Sequence, residues 1–146
     1  MSKSNTFEND LMLLVFNNTS IANIGDAGGL LASVAAGSLY ASLHTADPGE
    51  AGTAITSETA YTGYARIAIA RSGAGFVVTG NSVSPAANVD FGECTAAAGV
   101  PITHFGIVNT ASGAGKLLYS GTVTPNITMA VGVIPRLKTT STITED

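Results

Sequence analysis

Read for periodicity, the chain divides into a short helical opening and a long succession of brief extended runs. Phe7, Leu11, Leu14 and Val15 recur at helical spacing, which predicts a helix over residues 6–17. Glu8 and Asp10 fall in its first turn, where the helix dipole favours acids, and Ser4 or Thr6 offers a cap. Asn17, Asn18 and Thr19 read as its stop. Ile21, Ile24, Leu30, Leu31 and Val34 predict a second short helix, interrupted at Gly25 and again at Gly28 and Gly29. The opening, residues 1–36, is too apolar for a free arm, so it is expected to pack on its own subunit or on a neighbour.

Beyond it, residues 37–146 switch to two-residue alternation with turn chemistry between the runs. Residues 38–45 alternate Leu39, Ala41 and Leu43 against Tyr40, Ser42 and His44. Asp47, Pro48 and Gly49 make a strong turn signal, because proline presets φ and glycine accepts positive φ. Further strands are predicted over 64–71, 75–79, 82–84, 88–91, 102–109, 116–123, 131–137 and 140–144. The tail that holds the last of these, residues 138–146, is either a final edge strand or disordered. Ser-Gly-Ala-Gly occurs at 72–75 and again at 112–115, each time between two apolar runs, and predicts a hairpin connection at both places. Short strands with glycine-rich turns point to a mainly β protein: an antiparallel β-sandwich or jelly roll with a short helical N-terminal segment.

Charge changes this picture more than any motif. Charged residues make up 11% of the 146 positions, where ordinary soluble domains carry about 25%. Glycine supplies 17 residues, tryptophan none, and mean hydropathy is +0.34. Such a chain cannot cover itself with ionic groups. Its surface is neutral Ser, Thr, Asn and Gly, or is covered by neighbouring chains, which suits a subunit of an assembly. Net charge is −4 with six Lys and Arg in all, too few and too spread for a phosphate-binding surface, so no nucleic acid partner is expected. No run approaches the roughly 18 apolar residues of a membrane span, and the start does not read as a signal peptide. One cysteine, Cys94, permits no internal disulfide and fits synthesis in a reducing compartment.

The polar residues between 43 and 71 are the candidate chemistry: His44, Asp47, Glu50, Glu58, Arg66 and Arg71. No metal-ligand spacing surrounds either histidine, and neither a nucleophile elbow nor a nucleotide fingerprint is present. Thr110 and Leu117 occupy the positions where a phosphate loop ending at Lys116 requires Gly and Ser or Thr. His44 reads as a hydrogen-bonded strand-end residue. A pH-sensitive pair with His104, reached across sheets, is the alternative. Cys94 follows Glu93, an acid that raises rather than lowers a thiol pKa, so it reads as packed. No enzyme, cofactor, metal or small-molecule substrate is therefore expected. The long loop 47–62 and the tyrosines around Gly63 suggest a contact surface instead. The expected interface residues are Phe7, Leu11 and Leu14 on the helix, Asp47 and Glu50 in the loop, and Tyr61 and Tyr64 at its end.

The same residues carry a family resemblance. LHTADPGE at 43–50 and TAYTGYAR at 59–66 are followed by FGEC at 91–94, HFGI at 104–107 and ASGAGKLLYSG at 111–121. In that order they resemble small virion proteins of tailed bacteriophages, over about residues 39–121. Members are often labelled tail-fibre proteins, and the group is similar to the jelly-roll cement or decoration proteins on the heads of short-tailed phages. The resemblance implies a non-enzymatic protein on the outer capsid surface of the virion. There it would clamp contacts between subunits of the major capsid protein, as a homodimer or other homo-oligomer. A tail or tail-fibre subunit of the same fold is the alternative, and a lectin-like sandwich is a weaker one because the chain lacks tryptophan. The family implies no catalytic residues.

Overall fold

A computed structural model describes residues 2–96 and 100–145. The fold is mainly β, with antiparallel sheets consistent with a β-sandwich and one short N-terminal helix. The helix, α1 (Asn5–Asn17), starts where Ser4 turns extended and its hydroxyl accepts from the Phe7 N–H. It stops at Asn18, whose left-handed backbone (φ 54°) lets its N–H reach the Leu13 carbonyl.

Nine strands follow among the described residues: β1 (Ser38–His44), β2 (Ile67–Ala70), β3 (Phe76–Thr79), β4 (Ser82–Pro85), β5 (Val89–Asp90), β6 (Ile102–Val108), β7 (Leu117–Ile127), β8 (Arg136–Leu137) and β9 (Ile143–Thr144). They form a four-stranded sheet in the order β2-β1-β6-β7, a three-stranded sheet β3-β4-β9, and the pair β5-β8. The C-terminal run is thus an edge strand, held on β4 by the pairs Ser82 with Thr144 and Val83 with Ile143.

By contacts the chain forms two compact units. The first comprises residues 1–38, 69–88 and 138–146, the second 39–68 and 89–137. In the first, α1 packs on β3 and β4 with Met12 and Phe16 buried, and Phe16 meets Phe76 edge-on at 4.9 Å between ring centres. The helix α1 therefore packs on strands of its own chain. Arg71 completes the helix end. Its guanidinium donates to the Leu14 and Val15 carbonyls at 2.5 and 2.6 Å, where the helix dipole is negative.

The second predicted helix does not form. Residues 19–37 make a loop closed by reciprocal backbone hydrogen bonds between Ile21 and Leu30, 2.9 and 2.8 Å. Asp26 sets the reversal: its carboxylate accepts from the N–H groups of Gly28 and Gly29, and Asn23, Gly25 and Gly29 all take positive φ. Side-chain hydrogen bonding of this kind competes with a helix and wins where glycines remove the helical preference. The loop leaves Leu31 74% exposed and Val34 fully exposed.

The two Ser-Gly-Ala-Gly turns serve different purposes. The second joins β6 to β7, which pair, so it is a hairpin. The first joins β2 to β3, which belong to different sheets, and turns tightly through hydrogen bonds from Gly75 and Phe76 to the Ser72 carbonyl. The local sequence fixes the reversal, whereas strand pairing depends on distant residues.

Candidate functional site

The loop between β1 and β2 holds most of the chain's unusual polar groups, all in the second unit. It begins with the expected turn, in which the Asp47 carboxylate accepts from the Gly49 N–H at 2.9 Å. It then returns along β1: Thr45 N–H reaches the Ser57 carbonyl and Thr59 N–H the Leu43 carbonyl. The return pairs beside β1, and Thr56 at its start meets the His44 ring on the second face of β1. Ser42 and His44, which alternation assigns to an outer face, are consequently as buried as Leu43.

Burial would be costly for His44 without partners. It has two. Nδ1 lies 2.8 Å from the Thr56 carbonyl, which can only accept, so Nδ1 carries the proton. Nε2, 2.9 Å from the Ser42 hydroxyl, is then the acceptor. Burial lowers the His44 pKa below 6.5, and nearby Arg66 and His104 add to this against the opposing pull of Thr56 and Glu58. His104 is its direct register partner within one sheet rather than a residue reached across sheets. Gly106, opposite Ser42, leaves the space that the imidazole occupies: a Cβ there would lie 2.7 Å from Ser42 Oγ and 2.8 Å from His44 Nε2.

Arg66 organises the rest. Its guanidinium pairs with both Glu58 oxygens, and Tyr64 donates its hydroxyl to Glu58 Oε1 at 2.7 Å. Nη1 donates to the carbonyl and hydroxyl oxygens of Thr110 at 3.0 and 2.9 Å. Nη2 also reaches the carbonyls of Gly113 and Ala54, at 2.9 and 3.2 Å. Every guanidinium N–H is thus engaged, and the loop is tied to the β6–β7 hairpin. Arg66 is 8% exposed, and the hydrogen bonds to Glu58 raise its pKa further. This arrangement is a clamp with no donor left for a substrate.

The expected interface residues separate into two groups. Tyr61 is buried, its hydroxyl donating to the Gly92 carbonyl at 2.8 Å, and burial pushes its pKa up to about 12. Tyr64 is half-buried between Tyr61 and Phe91, accepts from the Leu43 N–H, and has its pKa raised chiefly by burial. Their common glycine explains the close docking: Gly63, at φ +103°, lies so near Glu93 that a Cβ would come within 2.1 Å of its carbonyl oxygen. Both rings are therefore occupied within the chain. Asp47 and Glu50 are exposed, while Phe7, Leu11 and Leu14 are half-buried on α1. Exposed apolar residues that the sequence did not single out for contact are Leu31, Val34, Val131 and Ile134.

Cys94 is buried, its thiol donating to the Ala96 carbonyl. Among the described residues no group of three or more His, Cys, Asp or Glu is placed to hold a metal ion. Among them, too, no helix is long and apolar enough to cross a membrane.

Comparison with known proteins agrees with a structural reading of these contacts. No curated protein matches the chain. A family model does, over residues 2–144, and its description is podophage GP4 fiber I protein gp80. That span covers the helix, all nine strands and the Arg66 clamp, and the chain belongs to this family of podophage fiber proteins.

Proposed function

We propose that the protein is a non-enzymatic structural subunit of the tail-fibre apparatus of a short-tailed phage. The observation that carries this reading is the family match over residues 2–144, whose description names a fiber protein. It favours the tail or tail-fibre alternative over the capsid-cement role ranked first from sequence. The geometry is compatible: the densest cluster of charged and hydrogen-bonding groups is internally saturated at Arg66 and Glu58. The exposed surface includes several large apolar residues, among them Leu31, Val34 and Val131. Such surface is suited to other protein, and the partners are further copies of this chain and other virion proteins. Cofactor, small-molecule substrate, nucleic acid and membrane have no part in this role.

Assembly would act by linkage. A subunit that binds the built structure and not its dissociated parts stabilises the built structure by mass action, and repeated contacts add through multivalency. Immunogold electron microscopy of intact virions, with copy number from quantitative mass spectrometry, tests the assignment. A few copies confined to the tail are expected. Hundreds of copies spread over the head would replace it with the cement role, with the major capsid protein as partner. Absence from purified virions would overturn both.

A further inference from the structure

A groove of about 470 Å³ lies over one face of the four-stranded sheet, between residues 117–122 of β7 and the β1–β2 loop. His104 and Thr122, which are register partners, line it together with Ser120. The loop contributes Asp47 and Glu50, both exposed, and two glycines. Asp47 uses one carboxylate oxygen on the Gly49 N–H, and among the described residues no donor meets the other. No Lys or Arg is among the described residues that line the groove. Two carboxylates thus face a polar cleft that holds no cation to balance them.

The chain's cations are mostly engaged elsewhere. Of the six Lys and Arg, Lys3 pairs with Glu145, Arg66 with Glu58 and Arg136 with Asp90, while Arg71 holds the end of α1. Lys116 and Lys138 remain, both exposed and in no ion pair among the described residues. Lys116 adjoins the groove but falls on the other face of the sheet. Leu117 reaches over Gly106 on the groove side, and neighbouring side chains along an extended chain alternate. Lys138 opens the turn 138–141, closed by the Ser141 N–H on its carbonyl at 2.9 Å and tied at Thr139 to the Asn88 side chain. Lys138, Thr139 and Thr140 are exposed, and no acid occurs from residue 137 to 144. The turn therefore presents one ammonium beside hydroxyl groups.

We propose that the groove receives the Lys138 turn of a second copy of this chain. Charge complementarity selects this occupant: an acidic cleft without a cation meets a cationic turn without an acid. An ammonium has three donors, enough for Asp47, Glu50 and a hydroxyl of β7. Thr139 and Thr140 bring hydroxyls to a cleft that already carries Ser120 and Thr122. Groove and turn are different surfaces, so the contact is heterologous. Each copy offers one of each, and repetition builds a ring or a filament rather than a closed pair. A single exposed ion pair is weak, and repetition supplies the strength. The inference rests on the proposed structural role, which places copies side by side.

Cross-linking and a charge swap test it. A carbodiimide, which joins an amine only to a carboxylate in contact with it, is applied to a mixture of isotope-labelled and unlabelled full chains. Mass spectrometry should find Lys138 linked to Glu50 or Asp47, with one labelled and one unlabelled partner. Lys138→Glu keeps the groove and Glu50→Lys keeps the turn. Each variant alone should sediment as a monomer, where the unsubstituted chain forms species larger than a dimer. Their equimolar mixture should form pairs and stop there, because only one contact can be made. Both positions are exposed, so melting temperatures should match the parent's, and if either variant melts early the cross-link on the unsubstituted chain decides. A monomeric unsubstituted chain, links only within one chain, or no pairs in the mixture of well-folded variants overturns the proposal. So does a link in virions from Glu50 or Asp47 to a chain of different sequence. A missing link with the protein still at the virion tail refutes the contact alone. A link found with the protein absent from virions refutes the functional reading alone.

Discussion

Arg66 and Glu58 lie eight residues apart and meet in a two-pronged ion pair, Nε to Oε1 and Nη2 to Oε2, both at 2.7 Å. The pair is enclosed, with side-chain exposures of 2% and 15%. Removing one partner of a buried pair strands the other, which costs about 3–5 kcal/mol. Arg66→Ala also releases the carbonyls of Thr110, Gly113 and Ala54. A urea-unfolding loss of roughly 3 kcal/mol or more is expected for it. Arg66→Lys should recover only a fraction, since an ammonium cannot reproduce the planar fork. A loss below about 1 kcal/mol for Arg66→Ala would mean that the clamp does not hold the loop.

Gly106 and Gly73 should respond to alanine with opposite signs. At Gly106 the new Cβ would meet Ser42 Oγ, His44 Nε2 and Leu117 Cδ1, all within 2.8 Å. Overpacking of this kind costs about 1–3 kcal/mol. At Gly73 nothing lies within 4 Å and φ is not positive, so alanine mainly restricts the unfolded chain and stabilises by about 0.4–1 kcal/mol. Paired thermal melts read both. A Gly106→Ala protein as stable as the parent would refute the tight seating of His44.

His44 gives stability a pH dependence. Its folded pKa lies below the model-peptide value of 6.5 because burial disfavours the charged ring. Between the folded and unfolded values the unfolded chain binds more protons, so acid favours unfolding. The contribution is complete above pH 6.5 and is lost as pH falls from 6.5 towards the folded pKa. Unfolding midpoints from pH 7.5 to 5 should drop, and His44→Gln should flatten that slope. An NMR titration placing the His44 midpoint at or above 6.5 contradicts the assignment.

How far the sequence led differs by element, for physical reasons. Strand positions follow from local alternation, and each of the nine predicted runs overlaps an observed strand. The burial of Ser42 and His44 does not, because the covering chain is fixed by contacts at Thr56 and Glu58 that no periodicity encodes. The helix was legible in extent but not in phase. Phe7, Leu11 and Leu14 mark an apolar stripe, yet the fully buried positions are Met12 and Phe16, because the location of Phe76 sets which face turns inward. The spacing of Ile21, Ile24, Leu30 and Leu31 was helical by count alone, and Asp26 with its glycines decided otherwise. Within the candidate site, Asp47 announced its turn. Arg66 gave no sign of its role, since Thr110 and Gly113 lie 44 and 47 residues away.

Arg71 should matter to α1 although it lies far from it in sequence. No basic residue occupies the last turn of the helix itself. Arg71 supplies that cation from outside, donating to Leu14 and Val15 while a third hydrogen bond reaches Ser33 Oγ at 3.0 Å. Hydrogen bonds from a charged donor contribute about 1.5–3 kcal/mol each before the loss of side-chain freedom is subtracted. Arg71→Ala should therefore destabilise by roughly 2 kcal/mol. Hydrogen exchange should locate the effect: N–H groups of the last helical turn and of the loop 19–37 should exchange faster, and those of β6 should not. Ser33→Ala removes only the third contact and should leave the helix end protected. Equal acceleration in Arg71→Ala across the helix end and β6 would mean that the residue supports the whole fold, and the assignment of Arg71 as the helix's C-terminal cation would be wrong.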